Sequence, residues 1–225
     1  MSRYALLSTV AAASLVVGTS AHATDLAVWD ITASPNEGAA NYAATFEATG
    51  VTAGDLTRGA GAAPAGGGSG KFTARDFQEV SLADAITAND YFSWSISAVD
   101  EPLNLDSVVV RTGGINDAGQ AELALLTSAT GFTDGDSIAS PSLWSEPTVD
   151  LSSIAALQGV TNVEFRLYGW GGVDTNGNPF QDRLIMEDKP GGDVPITITG
   201  SVVPEPASLV LFGAGGILIA ARRRR

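Results

Sequence analysis

Polar and apolar residues alternate with a period of two along much of this chain. Residues 91–99 read Tyr-Phe-Ser-Trp-Ser-Ile-Ser-Ala-Val, which sets Phe92, Trp94, Ile96 and Ala98 on one face and Ser93, Ser95 and Ser97 on the other. Successive side chains of a strand point to opposite faces, so this pattern predicts a half-buried antiparallel strand. Residues 160–170 repeat it, with Val163, Phe165 and Leu167 opposite Glu164, Arg166, Tyr168 and Trp170. Further strands are expected over residues 26–33, 43–49, 105–112, 121–128, 184–188 and 196–202. Val108-Val109-Val110 is a continuous β-branched run suited to a central strand. Trp29 and Trp94 fall on apolar faces and are expected in the core.

Helical signals are few. Ser81 with Asp84 three residues on predicts a capped short helix, and residues 151–157 suit one turn capped by Ser152 or Ser153. Turn chemistry punctuates the rest at Gly113-Gly114, Asp134-Gly135-Asp136, Asn176-Gly177 and Pro190-Gly191-Gly192. Short strands with Gly- and Asp-rich connections predict an all-β fold, a two-sheet β-sandwich of jelly-roll-like form with one or two helical turns. An immunoglobulin-like sandwich is the alternative. Residues 59–70 are almost wholly Gly and Ala and read as a flexible surface loop inside a single domain over residues 24–203.

Both ends carry different signals. Arg3, an apolar run over residues 5–17 and Ala21-His22-Ala23 form the pattern of an export leader, with cleavage expected after Ala23. At the other end Pro204-Glu205-Pro206 precedes an apolar run over residues 207–221 and then Arg222, Arg223, Arg224 and Arg225. As a helix this run is roughly 22 Å long, short of the roughly 30 Å hydrocarbon core of a bilayer. Four arginines would hold its end on the cytoplasmic side. A single-pass tail anchor is one reading of this segment.

The Pro-Glu-Pro triplet, the short apolar helix and the terminal arginine cluster together resemble the PEP-CTERM sorting signal over about residues 202–225. The resemblance implies recognition by an exosortase-type membrane protease of a Gram-negative bacterium that makes extracellular polysaccharide. It also implies cleavage near Pro204-Glu205-Pro206, membrane attachment through the C-terminal helix before processing, and delivery to the cell envelope, outer surface or matrix. It assigns no activity to residues 24–203.

Charge and composition narrow the chemistry of that domain. The whole chain has a net charge of −13, but five of its 12 basic residues and one of its 25 acidic ones lie in the two terminal segments. Residues 24–203 therefore carry 7 basic and 24 acidic groups, a net of −17. Nucleic acid and anionic lipid would be repelled, whereas divalent cations would not. There is no Cys, and the one His, His22, lies in the leader. Histidine-based triads, thiol nucleophiles and His- or Cys-ligated metals are thereby excluded from the domain.

Three kinds of site remain. The stripe Glu164, Arg166, Tyr168 and Trp170 offers aromatic rings beside a carboxylate and a guanidinium, the combination that recognises a sugar. The same residues also suit ordinary cross-strand pairing. Asp174, Asn176, Asn178 and Asp182 place oxygen side chains as a structural calcium loop would, although Pro179 and Ile185 depart from the EF-hand pattern and a plain polar turn fits better. Asp134 and Asp136 form a weaker version. A carboxylate-pair glycosidase is the enzyme class compatible with the missing histidine. The expectation is an exported, non-catalytic protein of the polysaccharide matrix that binds glycan. A purely structural or adhesive matrix protein and a polysaccharide-active enzyme are the alternatives.

Overall fold

The computed structural model describes residues 23–31, 39–65, 70–114, 122–143, 145–171, 184–187 and 196–203. In chain order β1 (Thr24–Trp29), β2 (Phe46–Glu47), β3 (Val51–Ala53), β4 (Thr57–Arg58), β5 (Ala63–Pro64) and β6 (Lys71–Arg75) precede helix α1 (Leu82–Ala88). Then follow β7 (Tyr91–Ala98), β8 (Leu103–Val110), β9 (Thr112–Gly114), β10 (Glu122–Thr127) and β11 (Thr148–Asp150). A 3₁₀ turn, Ala155–Leu157, leads into β12 (Gln158–Val160), β13 (Asn162–Trp170), β14 (Leu184–Glu187) and β15 (Ile196–Val202).

Every one of these strand pairings is antiparallel. The first sheet has the order β11-β8-β15-β1-β2, with β12 also on β8. The second runs β10-β13-β7-β3, with β4 also on β7. A third, smaller sheet runs β5-β6-β14-β9. One apolar cluster joins all three. Leu26 and Trp29 of β1, Leu105 and Val108 of β8 and Ile198 of β15 meet Phe92, Trp94, Phe165 and Leu167 of the second sheet. Trp94 lies parallel to Phe165, with ring centroids 5.8 Å apart. The third sheet enters the same core through Phe72, Ala74 and Met186.

This is the all-β sandwich that the alternation predicted, with a third sheet that it did not. The jelly-roll form is not specified by these pairings. Ser81 caps α1 as expected, its hydroxyl accepting from the Asp84 N–H at 3.2 Å. The second helical turn is shorter than predicted and lacks the serine cap. Its preceding residue is Ile154, and Ser152 instead donates its N–H and hydroxyl to Asp150 Oδ1.

The Gly/Ala-rich segment also departs from expectation over its described part. Residues 59–65 are packed: Ala62 and Ala65 are buried, and β5 pairs with β6. The physical reason is close approach. A Cβ on Gly59 would lie 2.1 Å from the Asn89 carbonyl oxygen, and one on Gly61 would lie 2.4 Å from that of Ala88 and 2.0 Å from Asp90 Oδ1. Small residues let this turn lie directly against the end of α1. Nearby, Arg58 ties the second sheet to the third. Its guanidinium carbon sits 3.7 Å above the Phe72 ring centre, and its Nε donates to the Thr73 carbonyl at 2.7 Å. Burial pushes its pKa down to about 10.

Candidate functional site

The outer face of the second sheet carries the stripe predicted from β13. Strand register fixes its neighbours: Tyr168 lies opposite Tyr91, Arg166 opposite Ser93, Glu164 opposite Ser95 and Asn162 opposite Ser97. This ladder divides into an aromatic half and a hydroxyl half.

The aromatic half is covered. Tyr168 is 1% exposed and packs with Ala124 and Leu126 of β10 and Ala85 of α1. Leu82, Ile86, Phe132, Tyr91 and the half-buried Trp170 close the same cluster. The Tyr168 and Tyr91 rings meet edge to face at 5.1 Å. Burial raises the Tyr168 pKa, partly offset by Arg166. Tyr168 is therefore a packing residue beneath α1, and no open face of its ring is available for a sugar. The alternation identifies the correct face but carries no information on what covers it.

Arg166 stands at the boundary. Its guanidinium carbon lies 4.5 Å from the Tyr91 ring centre and 3.9 Å from that of Phe132. Its Nε donates to Glu164 Oε1 at 2.7 Å, and a terminal nitrogen donates to the Tyr168 hydroxyl at 3.4 Å. Burial works against the charge, but the hydrogen bonds from Arg166 to Glu164 and Tyr168 and the attraction of Glu164 outweigh it, so the cation holds its proton more firmly than a free arginine. Two aromatic rings, a carboxylate and a phenol hydroxyl thus engage the group. Arg166→Ala is expected to destabilise the domain by about 1–2 kcal/mol through lost stacking and stem packing. Arg166→Lys is expected to recover little of that, since an ammonium lacks the planar face and the fork of donors that a guanidinium offers. Urea unfolding of the two variants checks this.

The hydroxyl half is open. A groove of about 330 Å³ is lined by Gly54, Asp55, Thr57, Ser93, Trp94, Ser95, Asn162 and Glu164. Polar groups dominate it, and several are oriented by one another. The Thr57 and Ser93 hydroxyls are 2.8 Å apart, and Asn162 Nδ2 donates to Ser97 Oγ at 2.6 Å. Asn41 Nδ2 donates to Asp55 Oδ2. Gly54 makes room for this wall, since a Cβ there would lie 2.3 Å from Ser95 Oγ. Of the predicted stripe, Glu164 alone lines the groove. Its other residues are Asn162, also on β13, and residues of β7 and of 54–57, and the pairing register brings these together.

The remaining predicted sites fall differently. Asp174, Asn176, Asn178 and Asp182 lie outside the described residues, as do Ala21, Pro204, Glu205, Pro206 and Arg222 to Arg225. Ala23 is exposed immediately before β1. In the Asp134–Asp136 turn the Asp136 carboxylate accepts from the Thr133 hydroxyl, closing a polar turn. Among the described residues no group of three or more His, Asp or Glu is arranged to hold a metal. Nor, among them, is any helix long and apolar enough to cross a membrane; residues 207–221 lie outside that set.

The comparison with known proteins defines the class. Residues 202–225 match the family model of the PEP-CTERM protein-sorting motif. The chain is accordingly an exported protein destined for the cell surface or envelope, and its C-terminal motif implies processing by exosortase. No curated protein and no solved structure matches the chain.

Proposed function

We propose that this exported protein is a non-catalytic component of the extracellular polysaccharide matrix of a Gram-negative bacterium and binds glycan in the groove beside Glu164. The observation that carries the reading is the lining of that groove. Asp55 and Glu164 accept hydrogen bonds, while Thr57, Ser95 and Asn162 both donate and accept, with the buried Ser93 hydroxyl behind Thr57. Sugar hydroxyls need this mixture. Recognition here works through hydroxyl pairing, since the aromatic rings of the stripe lie in the cluster beneath α1. The net charge of −17 over residues 24–203 favours neutral over anionic glycans.

Asp90 supplies no general acid to this groove. A glycosidase acid needs a raised pKa inside the cleft. Asp90, pushed up to about 6, is buried beside Gly61 and is not among the residues lining the groove.

Retention on immobilised glycans tests the proposal. Neutral glycans are expected to retain the protein, and Glu164→Gln combined with Asn162→Ala to weaken retention by roughly tenfold or more through lost hydrogen bonds. Trp170→Ala, away from the groove, is expected to retain its binding. Absence of retention on every glycan, or equal retention by the double variant, favours a structural or adhesive matrix protein instead.

A further inference from the structure

Strand β15 is paired with β8 into the start of the sorting motif and with β1 as far as Gly200. On β8, Gly200 lies opposite Leu105, Ser201 opposite Asn104 and Val202 opposite Leu103. On the other side Gly200 lies opposite Thr24 of β1. One residue further on, the Val203 N–H donates to the Pro102 carbonyl at 2.8 Å. The matched sorting segment begins at residue 202, so its first two residues belong to the folded sandwich. Pro204 follows with no spacer.

The approach to this point is tight. The register of β15 on β8 shifts between Thr199 and Gly200, and a Cβ on Gly200 would lie 2.2 Å from the Asn104 carbonyl oxygen. Glycine lets the strand end lie flat on β8 there. The same pole holds the other junction, since Thr24 and the exposed Ala23 adjoin Gly200. The turn over residues 99–102 lies there too, with Val99 exposed.

We propose that the folded sandwich restrains its own processing: Ser201–Val203 must leave β8 before a protease can grip the chain at the start of the sorting motif. A protease holds extended backbone on both sides of the bond it cuts and uses the peptide N–H and C=O groups to do so. The β8 pairing and the Val203-to-Pro102 bond already occupy those groups on the N-terminal side. The pole that carries both junctions is therefore the surface that the exosortase-type enzyme meets, and fraying of the last residues of β15 from β8 limits the cut. This inference rests on the sorting motif and is independent of the groove.

Pulse–chase labelling of the full-length precursor in cells containing the processing enzyme provides the test. Insertion of Gly-Ser-Gly-Ser between Val203 and Pro204 is expected to speed conversion at least fivefold, because the enzyme then reaches an unpaired segment. The same four residues placed between Gly67 and Gly68 are expected to change nothing. Gly200→Ala, which loosens the strand end upstream of the matched segment, is expected to speed conversion as well. If that variant does not fold, the spacer comparison decides alone. A spacer that leaves the rate unchanged, or slows it, overturns the proposal.

Discussion

Phe92→Ala is expected to cost the domain about 3–5 kcal/mol, the usual range for deleting a fully buried ring. Phe92 is 0% exposed and sits where the second sheet meets the third. Its ring centre lies 5.8 Å from that of Phe72 on β6 and 5.9 Å from that of Phe77. Truncation removes both contacts and leaves a cavity that three separate chain segments would have to collapse to fill. Urea unfolding monitored by tryptophan fluorescence measures the loss, because Trp29 and Trp94 belong to the same cluster. A single cooperative transition shifted by this amount is the expected result. A loss below about 1 kcal/mol, or a separate early transition, would show that the third sheet is not part of the core.

Asp90→Asn is expected to stabilise the protein at neutral pH and to do so progressively less as the pH falls. The Asp90 side chain is 2% exposed, next to the left-handed cap residue Asn89 and under Gly61. Burial, then the charges of Glu79 and Asp76, push its pKa up from 3.8 to about 6. The folded state therefore holds the proton more tightly than the unfolded chain. Stability from this group is fully present below about pH 4 and is lost as the pH rises through 6. A shift of this size corresponds to about 3 kcal/mol, reduced to about 1–2 kcal/mol where water reaches the carboxylate. Chemical denaturation of both proteins at pH 4 and pH 7 checks the sign. A variant equally destabilised at both values would place the importance of Asp90 in its shape rather than its charge.

Much of the fold was legible because long strands leave a long period. The nine residues of β13 and the eight of β7 carry several full alternations each, and the Ser81–Asp84 spacing marked α1. The short strands were not legible. β9, β11 and β12 have three residues apiece, too few for a periodicity to stand out from the surrounding turns. The ordered start of the Gly/Ala-rich segment was missed for a different reason. The composition that suits a flexible loop also suits a backbone packed tightly on a helix end, and Gly59 and Gly61 serve the second purpose.

The candidate site was half visible. Alternation placed Glu164 and Tyr168 on one face, which the structure shows. Whether each is open depends on where α1 lands, a tertiary fact with no local trace. The serines of β7 were recognised as the polar face of a strand. Their alignment beside Glu164 follows only from the register of β7 on β13.

The placement of β15 in the first sheet bears on the order of events after synthesis. The hydroxyl of Thr24 donates to the Gly200 carbonyl across 176 residues of sequence, so the first strand, which can pair early with β2, gains its second neighbour only when the last strand has been delivered. Before then β1 and β8 have no strand between them, and the sheet cannot close. Contacts this remote form slowly, so closure of the first sheet is expected late in folding. An exported chain of this design completes its first sheet only once its last strand is present.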